Sequence, residues 1–161
     1  MLLINDIIKL FGQSPQDKAL DGYLMKLGIS ERPEFKENPE VWISDVKGGF
    51  ILIFRERVGY EKLYGITNAC GTMIFSGIRI HSTWNNNKFS AYSGALPFEL
   101  DFNQSPEKIK QQIGVPDFED EPNTPERVFM WNNIKNMQLG MVLAEDEQHV
   151  CYLTLKPARK S

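Results

Sequence analysis

The chain has 161 residues, 42% of them apolar and 11% aromatic, with a formal net charge of −3. That is enough apolar material for a packed interior, so wholesale disorder is excluded. The charge is uneven: residues 1–95 hold eleven Lys and Arg against ten Asp and Glu, whereas residues 96–161 hold seven against eleven. A chain without a basic stripe is a poor nucleic-acid binder, and its acidic second half suits a basic partner.

Leu3, Ile4, Ile7, Ile8, Leu10 and Phe11 recur at helical spacing, and Gly12 supplies a stop. Ser14 is a good N-cap with Pro15 at the first helical position, and Leu20, Tyr23, Leu24 and Leu27 form the buried stripe of a second helix ending at Gly28. Val41–Val46, the turn Lys47-Gly48-Gly49 and Phe50–Arg55 predict a β-hairpin. Leu63–Thr67 and Met73–Ser82 continue the meander, with Arg79 and His81 alternating against Ile78 and Ile80. Trp84-Asn85-Asn86-Asn87-Lys88 is a polar loop tip. Leu96–Phe102 is an extended lead-in to a helix that Ser105 caps, with Pro106 inside it and Gly114 ending it. Residues 117–126 form an acidic, Pro-rich loop, and Arg127–Asn132, Met137–Leu143 and His149–Leu155 are three further strands.

One phrase occurs twice. Phe11-Gly12-Gln13-Ser14-Pro15 returns as Phe102-Asn103-Gln104-Ser105-Pro106, and Leu27-Gly28-Ile29 returns as Ile113-Gly114-Val115. Val41-Trp42-Ile43 and Phe50 have counterparts in Val128-Phe129-Met130 and Met137, at offsets between 86 and 91 residues. The expectation is an α+β fold: two tandem helix-plus-antiparallel-sheet units, about residues 1–90 and 91–161, packed as one compact domain. The sequence does not fix whether they share one continuous sheet.

No catalytic set emerges. Ser105-Pro106-Glu107-Lys108 matches S-x-x-K, but the K-T-G and S-D-N elements of that chemistry are missing, and a helix cap explains Ser105. Cys70 and Cys151 are too few for a disulfide scaffold, and Cys70 reads as a buried structural thiol. His149 and Cys151 alone do not make a metal site, so neither metal nor cofactor is expected. Asp117, Glu119, Asp120, Glu121 and Glu126 form a run without a basic residue: a solvated loop, or a contact for a basic partner. Trp84 in its polar loop and Tyr60 beside Gly59 are the aromatic candidates for that contact. Asn5, Asp6 and Lys9 interrupt Met1-Leu2-Leu3-Ile4 before a signal-type core forms, and no run reaches membrane-spanning length, so a cytoplasmic chain is expected.

The stretch Tyr92-Ser93-Gly94-Ala95-Leu96-Pro97-Phe98, running through Ser105-Pro106 to Ile113-Gly114-Val115-Pro116, resembles a segment of small bacterial immunity proteins. Such proteins accompany contact-dependent or type VI secreted toxins, and the opening helix with Phe11-Gly12-Gln13-Ser14-Pro15 is similar to theirs. The layout also resembles tandem β-lactamase inhibitory proteins and BamE-like modules, although the paired cysteines of the secreted inhibitors are missing. The resemblance implies a non-enzymatic immunity protein that binds and occludes one cognate toxin domain, for which a basic nuclease is the natural guess. It carries over no contact residues and no oligomeric state. The alternatives are a BamE-like peptide- or protein-binding module and a small enzyme using carboxylates such as Glu145, Asp146 or the acidic loop.

Overall fold

The computed structural model describes residues 1–85 and 88–161; Asn86 and Asn87 of the polar loop lie outside the described residues. Alternating and doubly apolar runs build an antiparallel sheet. β1 (Glu40–Asp45) and β2 (Phe50–Glu56) form the expected hairpin. Its turn requires glycine at 49: φ is +75°, and a Cβ there would collide with the backbone oxygen of Ser90. β3 (Met73–His81) pairs with β2, with a bulge after Ile53 that leaves Ser76 as the extra residue.

In the second half, β4 (Phe118–Glu119), β5 (Val128–Ile134), β6 (Met137–Leu143) and β7 (Val150–Pro157) form a meander with a two-residue edge. The halves join through β3 and β7, where Ile78 faces Leu155 and His81 faces Tyr152. One seven-stranded sheet results, in the order β1-β2-β3-β7-β6-β5-β4. The last strand of each meander thus lies at the centre, and the fold is a mixed α+β fold.

One face of that sheet carries the core. Leu52, Phe54, Phe75, Ile78, Leu139, Met141, Leu153 and Leu155 are fully buried there, with Leu20 and Leu24 of α2 (Lys18–Lys26) and Ile109 of α4 (Pro106–Ile113) in the same cluster. Ile4 and Ile7 of α1 (Ile4–Ile7) join it, and Phe11 packs on Phe75 with ring centroids 4.9 Å apart.

Local structure departs from expectation at six places, one of them β4, a two-residue strand paired with β5 inside the expected 117–126 loop. The first helix tightens to a 3-10 turn at Ile8–Leu10 and stops before Phe11. The second begins at Lys18, not Pro15, because Ser14 is fully buried and engaged elsewhere: its N–H donates to Asp17 Oδ2 (2.7 Å) and its Oγ accepts from Gly71 N–H (3.0 Å). Ser105 does cap α4, accepting from Lys108 N–H at 3.2 Å, so the two copies of the repeated phrase do different work.

Leu63–Thr67 is not a strand. α3 (Arg57–Tyr64) occupies its start, since the Glu56 carboxylate accepts from the N–H groups of Val58 (2.8 Å) and Gly59 (2.6 Å) and begins a helix. Pro97–Glu99 is a 3-10 turn with Phe98 at φ 58° instead of an extended lead-in. Cys70 is exposed, not buried: its backbone N–H donates to Asp17 Oδ1 at 3.1 Å, which holds the 65–72 loop outside the core. Asp17 also hydrogen-bonds the Cys70 side chain and so pushes the thiol pKa up.

Candidate functional site

Strand alternation sends every second side chain to the face opposite the core. Successive pair partners put one row of residues across all seven strands: Ser44, Ile51, Arg79, Thr154, Gly140, Met130 and Phe118. Arg79 stands near the middle of the row. Its guanidinium carbon lies 4.7 Å from the Trp42 ring centroid and 4.1 Å from that of Tyr152, a cation held between two aromatic faces. Each such contact contributes about 0.5–1 kcal/mol, more when desolvated.

The partners of Arg79 are fixed in turn. Trp42 is 47% exposed, and its indole N–H donates to Glu40 Oε1 at 2.7 Å. The other Glu40 oxygen pairs with Arg55 at 3.2 Å. Lys156, from β7, lies along β3 over Gly77, where a built Cβ would come within 3.0 Å of Lys156 Cγ. Burial lowers the Lys156 pKa. Glu40 opposes that shift, and Arg55, Arg79 and Arg159 reinforce it. The Arg79 Nε is buried with no hydrogen-bond partner.

Two cavities meet at this centre. One, of about 210 Å³, has Val128, Met130, Gly140 and Val142 as apolar walls and Arg79 and Lys156 at its border. The other, of about 530 Å³, shares Arg79, Val142 and Tyr152 and runs toward Glu126, Arg127 and Glu147. Together they make a groove on the open face across β3, β7, β6 and β5. Beside it His81 is fully buried, its ring 4.1 Å from that of Phe89 in a parallel stack, with neither nitrogen hydrogen-bonded. Burial, aided by Arg79, pushes its pKa down to about 4.

The residues singled out by sequence lie elsewhere. Asp117 Oδ2 accepts from Asn132 N–H (2.7 Å), and Asp120 Oδ2 accepts from Val128 N–H (3.0 Å). Glu119 pairs with Lys110 (3.1 Å) and Arg127 (3.0 Å). These acids therefore fasten the β4 edge to α4 and β5. Glu121 and Glu126 are exposed, and Glu126 borders the larger cavity. Trp84 folds back to stack on His149, with centroids 4.1 Å apart and planes 8° apart.

Tyr60 is 6% exposed, packed inward from α3 with burial raising its pKa to about 12, so it offers no surface anchor. Asp146 is bound to His149 Nδ1 at 2.7 Å in the exposed turn before β7. Among the described residues no group of three or more His, Cys, Asp and Glu is placed to hold a metal ion.

In the sequence Trp42 stands out only as part of a repeated triplet and Arg79 only as a sign of alternation, and Tyr152 and Lys156 not at all. The readable signal was Ile78-Arg79-Ile80, a cation inside an apolar strand. Its aromatic neighbours come from strands far away in the chain.

Among the described residues no helix is long and apolar enough to cross a membrane. No family model and no curated protein matches the chain. Among solved structures, it is similar to a DUF4309 family protein (YjgB) from Bacillus subtilis, at 18% identity and a TM-score of 0.44, covering 85% of this chain and 76% of that one.

Proposed function

We propose that this chain is a binding protein of the immunity type, which holds a cognate toxin domain against the open face of its sheet and blocks it by covering it. One observation carries the binding part: the core cluster with α1, α2 and α4 takes one face of the sheet, while the other presents a groove centred on Arg79 between Trp42 and Tyr152. Aromatic and arginine side chains are the residue types that concentrate binding energy at protein interfaces. The resemblance of the 92–116 segment to immunity proteins supports the toxin part.

On this reading the contact centre is cationic, and the acidic 117–126 loop is chiefly a structural clasp. A partner with an acidic protrusion fits the groove better than the basic cleft of a nuclease.

The test is co-expression with the toxin encoded beside the gene. A stable complex that protects cells, and that is weakened by Trp42→Ala and Tyr152→Ala, is the expected result. Absence of both complex and protection would overturn the proposal. A complex indifferent to these two substitutions would move the interface off the sheet.

A further inference from the structure

The charge pattern of the open face permits a narrower statement, which rests on reading that face as a protein-binding surface. Four arginines have carboxylate partners: Arg32 with Asp21, Arg55 with Glu40, Arg57 with Glu61, and Arg127 with Glu119 and Glu147. Arg79 has its two aromatic contacts and, among the described residues, no ion pair with a carboxylate, and its buried Nε has no hydrogen-bond partner. A guanidinium keeps its charge at any ordinary pH and carries five donors in a fixed fork. Trp42 and Tyr152 hold that fork in place, so little entropy is lost when an oxyanion meets it.

We propose that Arg79 and Lys156, at the border of the 210 Å³ recess, form a subsite for a carboxylate that stands next to an apolar side chain in the partner protein.

The recess holds about seven waters' worth of volume, room for one large side chain and not for a folded element. Its apolar floor and walls come from Val128, Met130, Gly140 and Val142, while Gln138 and Thr154 add neutral polar groups. A carboxylate suits it better than a phosphate. Strand N–H groups here are used by the ladders, and no helix N-terminus borders the recess, so an anion meets only side-chain donors. A polyanion is disfavoured because Glu126, Glu145 and Glu147 outnumber Arg127, the partner of Glu147, at the border of the adjoining cavity. One carboxylate is accepted at the centre, and a chain of phosphates is repelled beyond it.

The carboxylate can come from a chain terminus or from an internal Asp or Glu, and the two are separable. The 15N-labelled full chain is titrated with N-acetylphenylalanine, with its amide, and with the blocked dipeptide N-acetyl-phenylalanyl-aspartic acid α-amide, whose side-chain carboxylate is free. The readouts are the Trp42 indole N–H and the amides of Arg79, Tyr152 and Lys156. The expected result is saturable shifts for the carboxylates, with the neutral amide weaker by about tenfold or more, as a charge-assisted hydrogen bond implies. Tighter binding of N-acetylphenylalanine than of the dipeptide assigns a chain terminus, and the reverse assigns an internal acid; either supports the subsite.

Arg79→Met and Lys156→Gln should each abolish the preference for the charged probe while leaving the remaining spectrum dispersed. Lys156→Gln serves alone if Arg79→Met does not fold. Equal affinity for acid and amide, or shifts confined to residues away from Arg79 and Lys156, would overturn the proposal. Failure here is distinct from failure of the immunity reading. A protecting toxin complex untouched by Arg79→Met removes the subsite alone. Carboxylate binding without any protecting complex removes the toxin partner alone.

Discussion

Lys156 lies across β3 because residue 77 has no side chain: a Cβ on Gly77 would stand 3.0 Å from Lys156 Cγ and 3.1 Å from the Leu155 carbonyl oxygen. The second contact is backbone in the strand pair that joins the two halves, so it cannot swing aside. Gly77→Val is expected to destabilise the chain by about 1–3 kcal/mol through overpacking and to lift Lys156 off the sheet. Urea denaturation measures the first effect. Stability equal to that of the parent would show that β3 and β7 separate easily there.

Arg79 sets two effects of similar size against each other. Losing its contacts with Trp42 and Tyr152 costs about 1–2 kcal/mol in all. Removing a half-buried cation with an unpartnered Nε returns a comparable amount. Arg79→Met should therefore melt within about 1 kcal/mol of the parent while losing partner affinity. A loss well above that would mean Arg79 is retained for stability instead.

His81 makes stability depend on pH. Its folded pKa of about 4 lies below the unfolded value of 6.5, because burial disfavours the charged ring. Between these values the unfolded chain binds more protons, so stability is fully present above about pH 6.5 and falls as pH drops toward 4. The span corresponds to roughly 3 kcal/mol. Denaturation midpoints followed from pH 7.5 to 4.5 should show this slope, and His81→Phe, which keeps the stack on Phe89, should flatten it. A slope unaltered by that substitution would assign the titration to other groups.

Arg57 organises the 65–72 loop. Its guanidinium donates to the carbonyls of Thr67 (3.2 Å), Gly71 (2.7 Å) and Ala69. A lysine ammonium is a point charge and cannot reproduce that fork. Arg57→Lys is expected to cost about 1–3 kcal/mol and to expose the loop to proteolysis. Unchanged cleavage rates would show that Ser14 and Asp17 hold the loop without it.

The sequence revealed a good deal of the architecture. The hairpin at 41–55, the strand at 73–82 and the last three strands follow from alternation and turn residues, which act between close neighbours in the chain. Glu56 is no obvious helix start because glutamate is outside the usual capping set, so α3 goes unmarked in the sequence and its last two residues, Leu63 and Tyr64, fall in the expected Leu63–Thr67 strand. Ser14 looked like Ser105 because the five-residue phrase repeats, but the loop that recruits Ser14 lies more than fifty residues away.

By itself, then, the sequence determined which faces of which segments are apolar, and that the chain forms an α+β fold around an antiparallel sheet. Tertiary structure decided that β3 meets β7, and with it the setting of Arg79. Alternation tells which side of its own strand a residue occupies and nothing about which strand lies alongside. Trp42 and Tyr152 reach Arg79 only through the long-range register of the sheet. The acidic loop shows the same physics in reverse: a run of unpaired charge along the chain becomes a set of ion pairs and backbone hydrogen bonds once α4 and β5 are packed beside it.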